Sequence, residues 1–309
     1  MPLTRDRQSL RCESGHAYPV VDGIPLLLMP EKEQTHWFAQ RSMDIARGNR
    51  ENWAAPQPWS RRDEDRVHPY VNEMIVKTNG MLYTHLRGRL TDYPIPEIRL
   101  PEGQGRLLDI GCSWGRWSIA AARKGYEVTG IDPDLYGVMA ARDIARQLGI
   151  NAEFVVGDAR FLPFASESFD VCFSYSVLQH LCRPNAMAAI GEIGRVLRTG
   201  ARSFVQMANR NGVRSLFHLA MRRFSKGEGF DVRYWTPSEL KNEFERLIGE
   251  STLGVDGFFG LGIQAADRRL MTRRNRIVIG ASETLRSVAD VIKPLLYVAD
   301  SICVTSRKA

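Results

Sequence analysis

The chain has 309 residues, of which 44% are hydrophobic and 25% charged, and its formal net charge at pH 7 is +7. This length suffices for one large α/β domain with an appendage, and no secretory leader is expected before the first charged residues. The five cysteines are scattered and odd in number, which argues against a disulfide framework and indicates a reducing compartment, the cytoplasm. The positive charge is compatible with nucleic-acid binding, although the basic residues are spread rather than clustered in one long run.

The N-terminal segment from Leu10 to Leu27 has the sequence LRCESGHAYPVVDGIPL and resembles the second half of a short zinc-ribbon-like leader. A structural zinc site needs four Cys or His ligands, and Cys12 and His16 are the only plausible ones before His36. Zinc binding by this leader, residues 1–30, is therefore one hypothesis. The alternative, which we favour, is a metal-free β-hairpin packed on the main domain.

Residues 31–100 are predicted to form a helical appendage and a proline-rich linker. The segment is polar at first and carries tryptophans at 37, 53 and 59; it is then predicted to be helical from about Val67 to Leu90. Three prolines between residues 94 and 101 exclude a helix there and mark the entry to the core. Asn79, Tyr83 and Tyr70 are candidates for ligand contact, although aromatic residues at helical spacing more often belong to a core.

The segment from Arg106 to Ser118, RLLDIGCSWGRWS, predicts a buried strand that enters a glycine-bearing turn and then a helix. Gly111 and Gly115 permit backbone conformations or close approaches that a Cβ would obstruct. A dinucleotide fingerprint would need glycines at 111, 113 and 116, and the serine and arginine at the last two positions disfavour a bound pyrophosphate. The turn alone does not distinguish another nucleoside ligand from a generic strand-to-helix connection.

A second strand, residues 127–132, ends in Asp132, which is 23 positions after Asp109. A carboxylate at that strand end can accept hydrogen bonds from both ribose hydroxyls of a nucleoside. Alternatively it caps the helix that starts near Leu135, a role that Asp134 could equally fill.

A third strand, residues 153–156, runs into Asp158 and Ala159, and a fourth, residues 168–175, carries Ser174. Alternating strands and helices imply an open parallel sheet, in which ligands bind at the carboxyl ends of the strands where the strand order reverses. The sequence therefore predicts a ligand site at that edge. A helix over residues 185–197 and a strand over residues 203–207 follow.

These motifs together resemble class I S-adenosylmethionine-dependent methyltransferases, and within them the small-molecule methyltransferase subfamily. The resemblance rests on D-x-G-x-S-x-G, with Ser113 in place of the family's middle glycine, and on GDA, LPF, VLQHL and EIGRVLRTG. It implies a Rossmann-like fold with a seven-stranded, mostly parallel sheet and helices on both faces. It also implies that residues 101–309 form the catalytic domain, with a substrate-covering insertion at about 209–235, and that S-adenosyl-L-methionine is the cofactor. Leaders like residues 1–30 precede some methyltransferase domains.

The resemblance assigns the cofactor to residues at the strand ends: Asp109, Gly111, Ser113 and Gly115 near the methionine part, Asp132 on the ribose, Asp158 and Ala159 on the adenine, and Ser174 nearby. His180, just after the fourth strand, is the candidate general base because its ordinary pKa is near neutral; alternatively it packs locally. Gln179 and Tyr175 are candidates for orienting the substrate.

Three functions are compatible with the sequence. The first is in-line SN2 methyl transfer to a small-molecule or lipid-precursor acceptor. The second is RNA methylation, favoured by the charge and by leaders on rRNA-modifying relatives, although no Asn-Pro-Pro-Tyr or Asp-Pro-Pro-Tyr tetrad follows the fourth strand. The third is a non-catalytic protein that binds the cofactor. The sequence does not determine the acceptor or the oligomeric state.

Two segments near the C-terminal half have no single interpretation. Residues 210–233 interleave arginines with phenylalanines and could be a phosphate-binding arm, a lid over an anionic substrate, or a solvated amphipathic helix. Residues 234–239 carry a capping box around Thr236, which predicts a scaffold helix. Residues 292–304 are apolar but too short and too interrupted to span a membrane, and we expect a helix and then a strand, residues 301–305.

Overall fold

The computed structural model describes residues 3–5, 9–12, 15–49, 66–260, 262 and 264–309, so Trp53 and Trp59 of the predicted appendage lie outside the described residues. The strands are β1 (Leu3–Arg5), β2 (Ser9–Cys12), β3 (Ala17–Val21), β4 (Ile24–Pro25), β5 (Arg106–Ile110), β6 (Glu127–Asp132), β7 (Ala152–Val156), β8 (Phe169–Tyr175), β9 (Leu197–Ala208), β10 (Ser251–Gly257) and β11 (Ser301–Arg307). The α-helices are α1 (Trp37–Ala46), α2 (Pro69–Asn79), α3 (Arg116–Arg123), α4 (Leu135–Gln147), α5 (Arg183–Val196), α6 (Val213–Met221), α7 (Pro237–Leu247) and α8 (Arg273–Ala289). Short 3-10 helices cover Met81–Leu86, Leu178–His180, Ala265–Leu270 and Lys293–Val298.

The main sheet has seven strands in the order β10-β11-β9-β8-β5-β6-β7. Strands β7, β6, β5, β8 and β9 are parallel, and β11 runs antiparallel to both of its neighbours. This confirms the predicted Rossmann-like, mostly parallel sheet. The strand order reverses between β5 and β8, so the carboxyl ends of these two strands flank the crevice in which such sheets bind ligands.

Helices cover both faces of the sheet because the central strands are apolar on both sides. On β5, Leu108 packs with Ile190 of α5 and Phe244 of α7, whereas its neighbour Leu107 packs with Trp117 of α3. Since successive side chains of a strand point to opposite faces, these two clusters lie on opposite sides of the sheet. The carboxyl edge is left for the loops that follow the strands.

The N-terminal leader forms four antiparallel strands in the order β1-β2-β3-β4, so the expectation of a single hairpin was too simple. It is joined to the main sheet: Leu26 forms a parallel bridge with Val156 of β7, and the Leu27 N–H donates to the Val156 carbonyl at 2.7 Å. Ile24 and Leu28 are buried in the same cluster as residues of α4. The leader therefore shields the edge of the sheet at β7.

The predicted helix over residues 67–90 is interrupted at Gly80. Its φ of +99° lies in a region that glycine adopts without strain, and there α2 ends and the 3-10 helix Met81–Leu86 begins. Val71 and Ile75 of α2 are fully buried and pack with Ile144 of α4. The appendage thus covers α4 beside the carboxyl edge of the sheet.

The C-terminal segment differs in detail from the prediction. The expected helix near residue 292 is the 3-10 helix Lys293–Val298, and the final strand extends to Arg307 because it pairs along its length with β9. The capping box at Thr236 is present as predicted. Within the described part of the chain, no helix is both long enough and apolar enough to cross a bilayer.

Candidate functional site

The loop after β5, residues 111–115, is called the glycine loop. Gly111, Ser113 and Gly115 all have positive φ, at +78°, +47° and +82°. A Cβ on Gly111 would lie 2.2 Å from Val177 Cγ2, so only glycine fits there. Ser113, the position that departs from the family's motif, nevertheless adopts the left-handed conformation that glycine would supply, and the path of the loop is preserved.

Asp132 fixes the glycine loop from the end of β6. One carboxyl oxygen accepts from the Ser113 N–H at 2.9 Å, and the other accepts from the Asp134 N–H at 2.9 Å. Burial raises the pKa of Asp132 to about 7, because desolvation opposes the charged form more than the two backbone donors favour it. Each oxygen keeps a second lone pair, which is what acceptance from two ribose hydroxyls would require.

Two of the predicted cofactor ligands are already engaged within the protein. The Asp109 carboxylate accepts from Ser118 Oγ at 2.6 Å and thereby ties β5 to the first turn of α3. Burial raises its pKa to about 7. The Ser174 hydroxyl, which is also buried, donates to the Ile110 carbonyl at 3.0 Å. These contacts hold the strand ends in position, and the cofactor contacts of both residues stay predictions.

Asp158 lies at the end of β7 in an ion pair that the sequence did not suggest. Arg160 folds back so that its Nη2 lies 2.7 Å from Asp158 Oδ2, and its backbone N–H donates to Oδ1 at 2.8 Å. The same Nη2 donates to the Glu33 carbonyl at 2.6 Å. Arg160 thus orients the carboxylate predicted to bind adenine and links it to the appendage; Ala159, its neighbour, packs against the core.

The N-cap of α4, a role that the sequence left open between Asp132 and Asp134, is Asp134, whose side chain accepts from the Tyr136 N–H at 3.1 Å. It also accepts from the Tyr70 hydroxyl at 2.8 Å and pairs with Arg41 of α1. Tyr70 and Arg41 come from α2 and α1, so the appendage is held against the end of β6 beside Ser113. This brings the predicted contact residue Tyr70 to the edge of the glycine loop.

Asn79, the last residue of α2, is buried, and its Nδ2 has no hydrogen-bond partner among the described residues. Thr78 Oγ1 lies 2.9 Å from Asn79 Oδ1 and accepts from Trp114 Nε1 of the glycine loop at 3.2 Å. A buried amide donor beside this loop fits a ligand that carries a carboxylate or carbonyl oxygen. Tyr83, the other candidate from this part of the appendage, has its hydroxyl engaged by Asp267.

Tyr83 belongs to a buried network that the sequence analysis missed. The Asp267 carboxylate accepts from the Tyr83 hydroxyl and pairs with Arg116 at 3.2 Å. Arg116 is the first residue of α3, directly after the glycine loop, and the 3-10 helix around Asp267 is held against that helix start. No local sequence pattern could predict this network, because its ion pair joins residues that are 151 positions apart in the chain.

His180 lies after β8 under Phe230, a residue of the insertion at 209–235. The two rings are stacked with centroids 3.9 Å apart and an interplanar angle of 1°, and His180 Nδ1 lies 2.7 Å from the Phe230 carbonyl oxygen. Because a carbonyl oxygen only accepts, Nδ1 carries the proton and Nε2 keeps its lone pair. Burial lowers the pKa of His180 to about 4, so the ring is neutral at pH 7.

The two predicted orienting residues have different surroundings. Gln179 is buried, its amide donates to Ser176 Oγ at 2.6 Å, and its Oε1 has no partner within the described chain. Tyr175 instead donates to Asp256 at 2.7 Å and accepts from Gln264 at 3.0 Å. Gln179 therefore keeps a polar atom for a ligand, whereas the Tyr175 hydroxyl already donates and accepts within the protein.

An aromatic wall, formed by His36, Trp37, Phe38 and Phe230, extends from His180 toward Asp134. His36 contacts Phe230 edge-on at 4.7 Å and Phe38 at 4.5 Å, and the Arg41 guanidinium lies over Trp37 at 4.8 Å. Arg41 is in turn paired with Asp134 at the end of β6. The wall therefore links the ends of β8 and β6, the two strands on either side of β5. The sequence gave no signal for it, because it joins the appendage to the insertion.

The predicted residues therefore converge on the carboxyl edge of β5, β6, β7 and β8. The arrangement fits S-adenosyl-L-methionine: Asp132 retains acceptor capacity, and Asn79 has a donor without a partner among the described residues. In the described residues no cluster of three or more His, Cys, Asp or Glu side chains has the arrangement of a metal site, and the Cys12 side chain lies outside that description.

Comparison with known proteins finds similarity to methyltransferases. Residues 107–200 match the family model described as a methyltransferase domain. A ubiquinone biosynthesis O-methyltransferase of Agrobacterium fabrum is 26% identical over 212 residues, which cover 68% of this chain and 78% of the relative. The enzyme of the same name from Azorhizobium caulinodans is 32% identical over 108 residues, 35% of this chain and 38% of the relative. A solved S-adenosylmethionine-dependent methyltransferase of Methanosarcina mazei is similar with a TM-score of 0.48 and 23% identity, over 71% of this chain and 99% of that chain.

Proposed function

We propose that this chain, a class I S-adenosylmethionine-dependent methyltransferase, transfers the methyl group to a small-molecule or lipid-precursor acceptor bound under the aromatic wall. The observation that carries the proposal is this wall, which links aromatic rings of the appendage and the insertion between Asp134 and His180. Pockets for organic ligands are lined mainly by apolar and aromatic groups with a few polar ones. The named relatives are O-methyltransferases of ubiquinone biosynthesis, which favours a hydroxyl as the acceptor group.

S-adenosyl-L-methionine supplies an activated methyl group on a sulfonium, so the protein chiefly has to bind, align and exclude water. We assign the ribose to Asp132, the adenine to Asp158 and Ala159, and the methionine part to the glycine loop with Asn79. Arg160 positions the Asp158 carboxylate for its contact. Asp109 and Ser174 contribute by holding the strand ends.

His180 is the proposed base for a hydroxyl acceptor. Its Nδ1–H is held by the Phe230 carbonyl, which leaves Nε2 as the proton acceptor, and its lowered pKa keeps it neutral in the physiological range. Phe230 stacks on one face of the His180 ring, and Gln179 Oε1 is available to orient the acceptor. In this role Nε2 would accept the proton of the acceptor hydroxyl, and bound S-adenosyl-L-methionine would supply the methyl group to the hydroxyl oxygen.

Methyl transfer to RNA is the second candidate, and the net charge of +7 is the observation that favours it. An assay distinguishes these two functions: the protein is incubated with radiolabelled S-adenosylmethionine and a lysate of cells that lack the gene. We expect label in the organic extract. Label retained on total RNA would establish the second candidate, and tight cofactor binding without any transfer would establish a non-catalytic protein.

We further propose the cytoplasm as the compartment. Cys112, Cys172, Cys182 and Cys303 are all free thiols in the structure, which suits a reducing environment. An untargeted comparison of metabolites with and without the gene, searched for pairs that differ by one methylene, would identify the acceptor itself.

A further inference from the structure

The apolar residues of α6 face outward. Val213, Leu216, Phe217 and Met221 recur at helical spacing, and all four are exposed, Phe217 by 61% and Met221 by 70%. The opposite positions, Ser215 and Leu219, are the buried ones. An amphipathic helix on a globular protein ordinarily turns its apolar stripe toward the core, so this orientation is the reverse of the usual one.

A second exposed apolar segment lies beside it. Asn209, just before α6, donates to the Tyr297 carbonyl at 3.1 Å and to the Ala299 carbonyl at 2.7 Å, and Asp300 accepts from the Arg214 N–H at 2.7 Å. The start of α6 is therefore held next to the 3-10 helix Lys293–Val298. Around that helix four further apolar side chains are exposed: Val291, Ile292, Tyr297 and Val298.

The exposed residues of these two adjoining segments are together called the apolar face: Val213, Leu216, Phe217, Met221, Phe224, Val291, Ile292, Tyr297 and Val298. They are nine of the fourteen large hydrophobic residues that are exposed in the described part of the chain. Scattered exposed apolar side chains need no explanation, but their concentration on two adjoining segments marks an interaction surface.

Positive charge surrounds the apolar face. Residues 209–231 and 290–298 together contain six arginines and lysines but only three carboxylates, Glu228, Asp231 and Asp290. Arg223, Lys226 and Lys293 are exposed and form no ion pair with a described residue. Apolar side chains on a helix bordered by Arg and Lys are the combination that binds the surface of an anionic bilayer, where the rings enter the acyl boundary and the cations meet lipid phosphates.

We propose that the apolar face docks on an anionic membrane surface. With nine residues α6 is too short to cross a bilayer, so it lies in the interface plane. This inference goes beyond the proposed methyl transfer, and neither depends on the other. Phe230, which covers His180, belongs to the same insertion as α6, so the docked segment also borders the acceptor side of the site.

The test is sedimentation of the full chain with vesicles. We expect binding to equimolar phosphatidylcholine and phosphatidylglycerol, weaker binding to phosphatidylcholine alone, and loss of binding at high salt. Removing apolar area with the double variant Phe217→Ser, Met221→Ser should weaken the partition coefficient at least about ten-fold. The charge reversal Arg223→Glu, Lys226→Glu should weaken it by about ten-fold or more on the mixed vesicles.

Met81→Ser and Arg89→Glu are matched controls, because both residues are exposed but lie on the 3-10 helix Met81–Leu86 or just after it. They should bind vesicles as the wild type does. Circular dichroism and binding of S-adenosylmethionine verify that each variant is folded. The proposal is overturned if the wild type stays in the supernatant with the mixed vesicles, or if Met81→Ser weakens binding as much as the double variant. A wild-type dimer that Phe217→Ser, Met221→Ser converts to a monomer would show instead that a second copy covers the face.

Discussion

At the scale of single residues, the site contains carboxyl groups that the fold has removed from water. Burial raises the pKa of both Asp109 and Asp132 to about 7 from the ordinary value of 3.8. Between these two pH values the folded state holds protons that the unfolded state has released, so these groups make the fold less stable as pH rises through that window. The free energy of unfolding, measured by urea titration at several pH values, should therefore fall less in Asp109→Asn than in the wild type as pH rises through this window. The expected difference is on the order of 2–4 kcal/mol. An equal fall in the two proteins would contradict this prediction.

Asp132 should also make cofactor binding depend on pH. A protonated carboxyl loses charge-assisted bonds to the ribose, so the Kd for S-adenosylmethionine should rise as pH falls below about 7. Asp132→Ala should weaken binding by about 10- to 100-fold and remove this dependence, as measured by calorimetry. Glu127→Ala, at the exposed start of the same strand, is the control and should bind normally. Unchanged affinity in Asp132→Ala would reject the ribose assignment.

Ser113 tests the glycine loop through its backbone. At φ +47° a β-branched side chain is strained, so Ser113→Val should lower the free energy of unfolding by about 1–3 kcal/mol. Ser113→Gly should stay within about 1 kcal/mol of the wild type, because relief of strain is offset by the larger entropy of the unfolded chain. Urea unfolding measures both values. A valine variant as stable as the wild type would show that the loop relaxes to another conformation.

At the scale of elements, the insertion determines the surroundings of His180. Phe230 covers the imidazole, and burial is the main reason why the pKa of His180 falls to about 4. Phe230→Ala should therefore raise this pKa by at least about one unit toward 6.5, since water regains access to the ring. Titration of the histidine resonances by NMR measures this without an acceptor. As a control, His218 on the exposed side of α6 should have the same pKa in both proteins. If the pKa of His180 does not change in Phe230→Ala, the backbone contacts alone control it.

At the scale of the whole molecule, the leader is bridged to the edge of the main sheet at β7. Leu26 is almost fully buried where the leader bridges β7, so Leu26→Ala should reduce the free energy of unfolding by about 2–4 kcal/mol. Val20→Ala, at a partly exposed position of β3, should cost about 1 kcal/mol or less. Urea unfolding followed by tryptophan fluorescence compares them. If the main domain unfolds at the same denaturant concentration in Leu26→Ala as in the wild type, the leader is an independent unit.

Much of the fold was predictable because its signals are local. The bounds of β6 agree with the predicted strand, residues 127–132, and the cap of α7 at Thr236 is where the capping box placed it. Gly80 shows the limit of such signals: the apolar pattern continued beyond it, and only its φ of +99° reveals that the helix ends there. Strand order and the position of β11 depend on pairing between distant segments, which periodicity does not report.

By itself, the sequence determined the type of sheet and the cofactor class and predicted the edge that carries the site, because glycines and carboxylates at strand ends are placed by neighbours in the chain. Only the tertiary structure decided that Arg160 is paired with Asp158, that Phe230 covers His180, and that the apolar stripe of α6 faces outward. Residues 210–233 illustrate the difference. Their composition allowed an arm, a lid or a solvated helix, and which face of a helix is buried depends on what the rest of the chain packs against it.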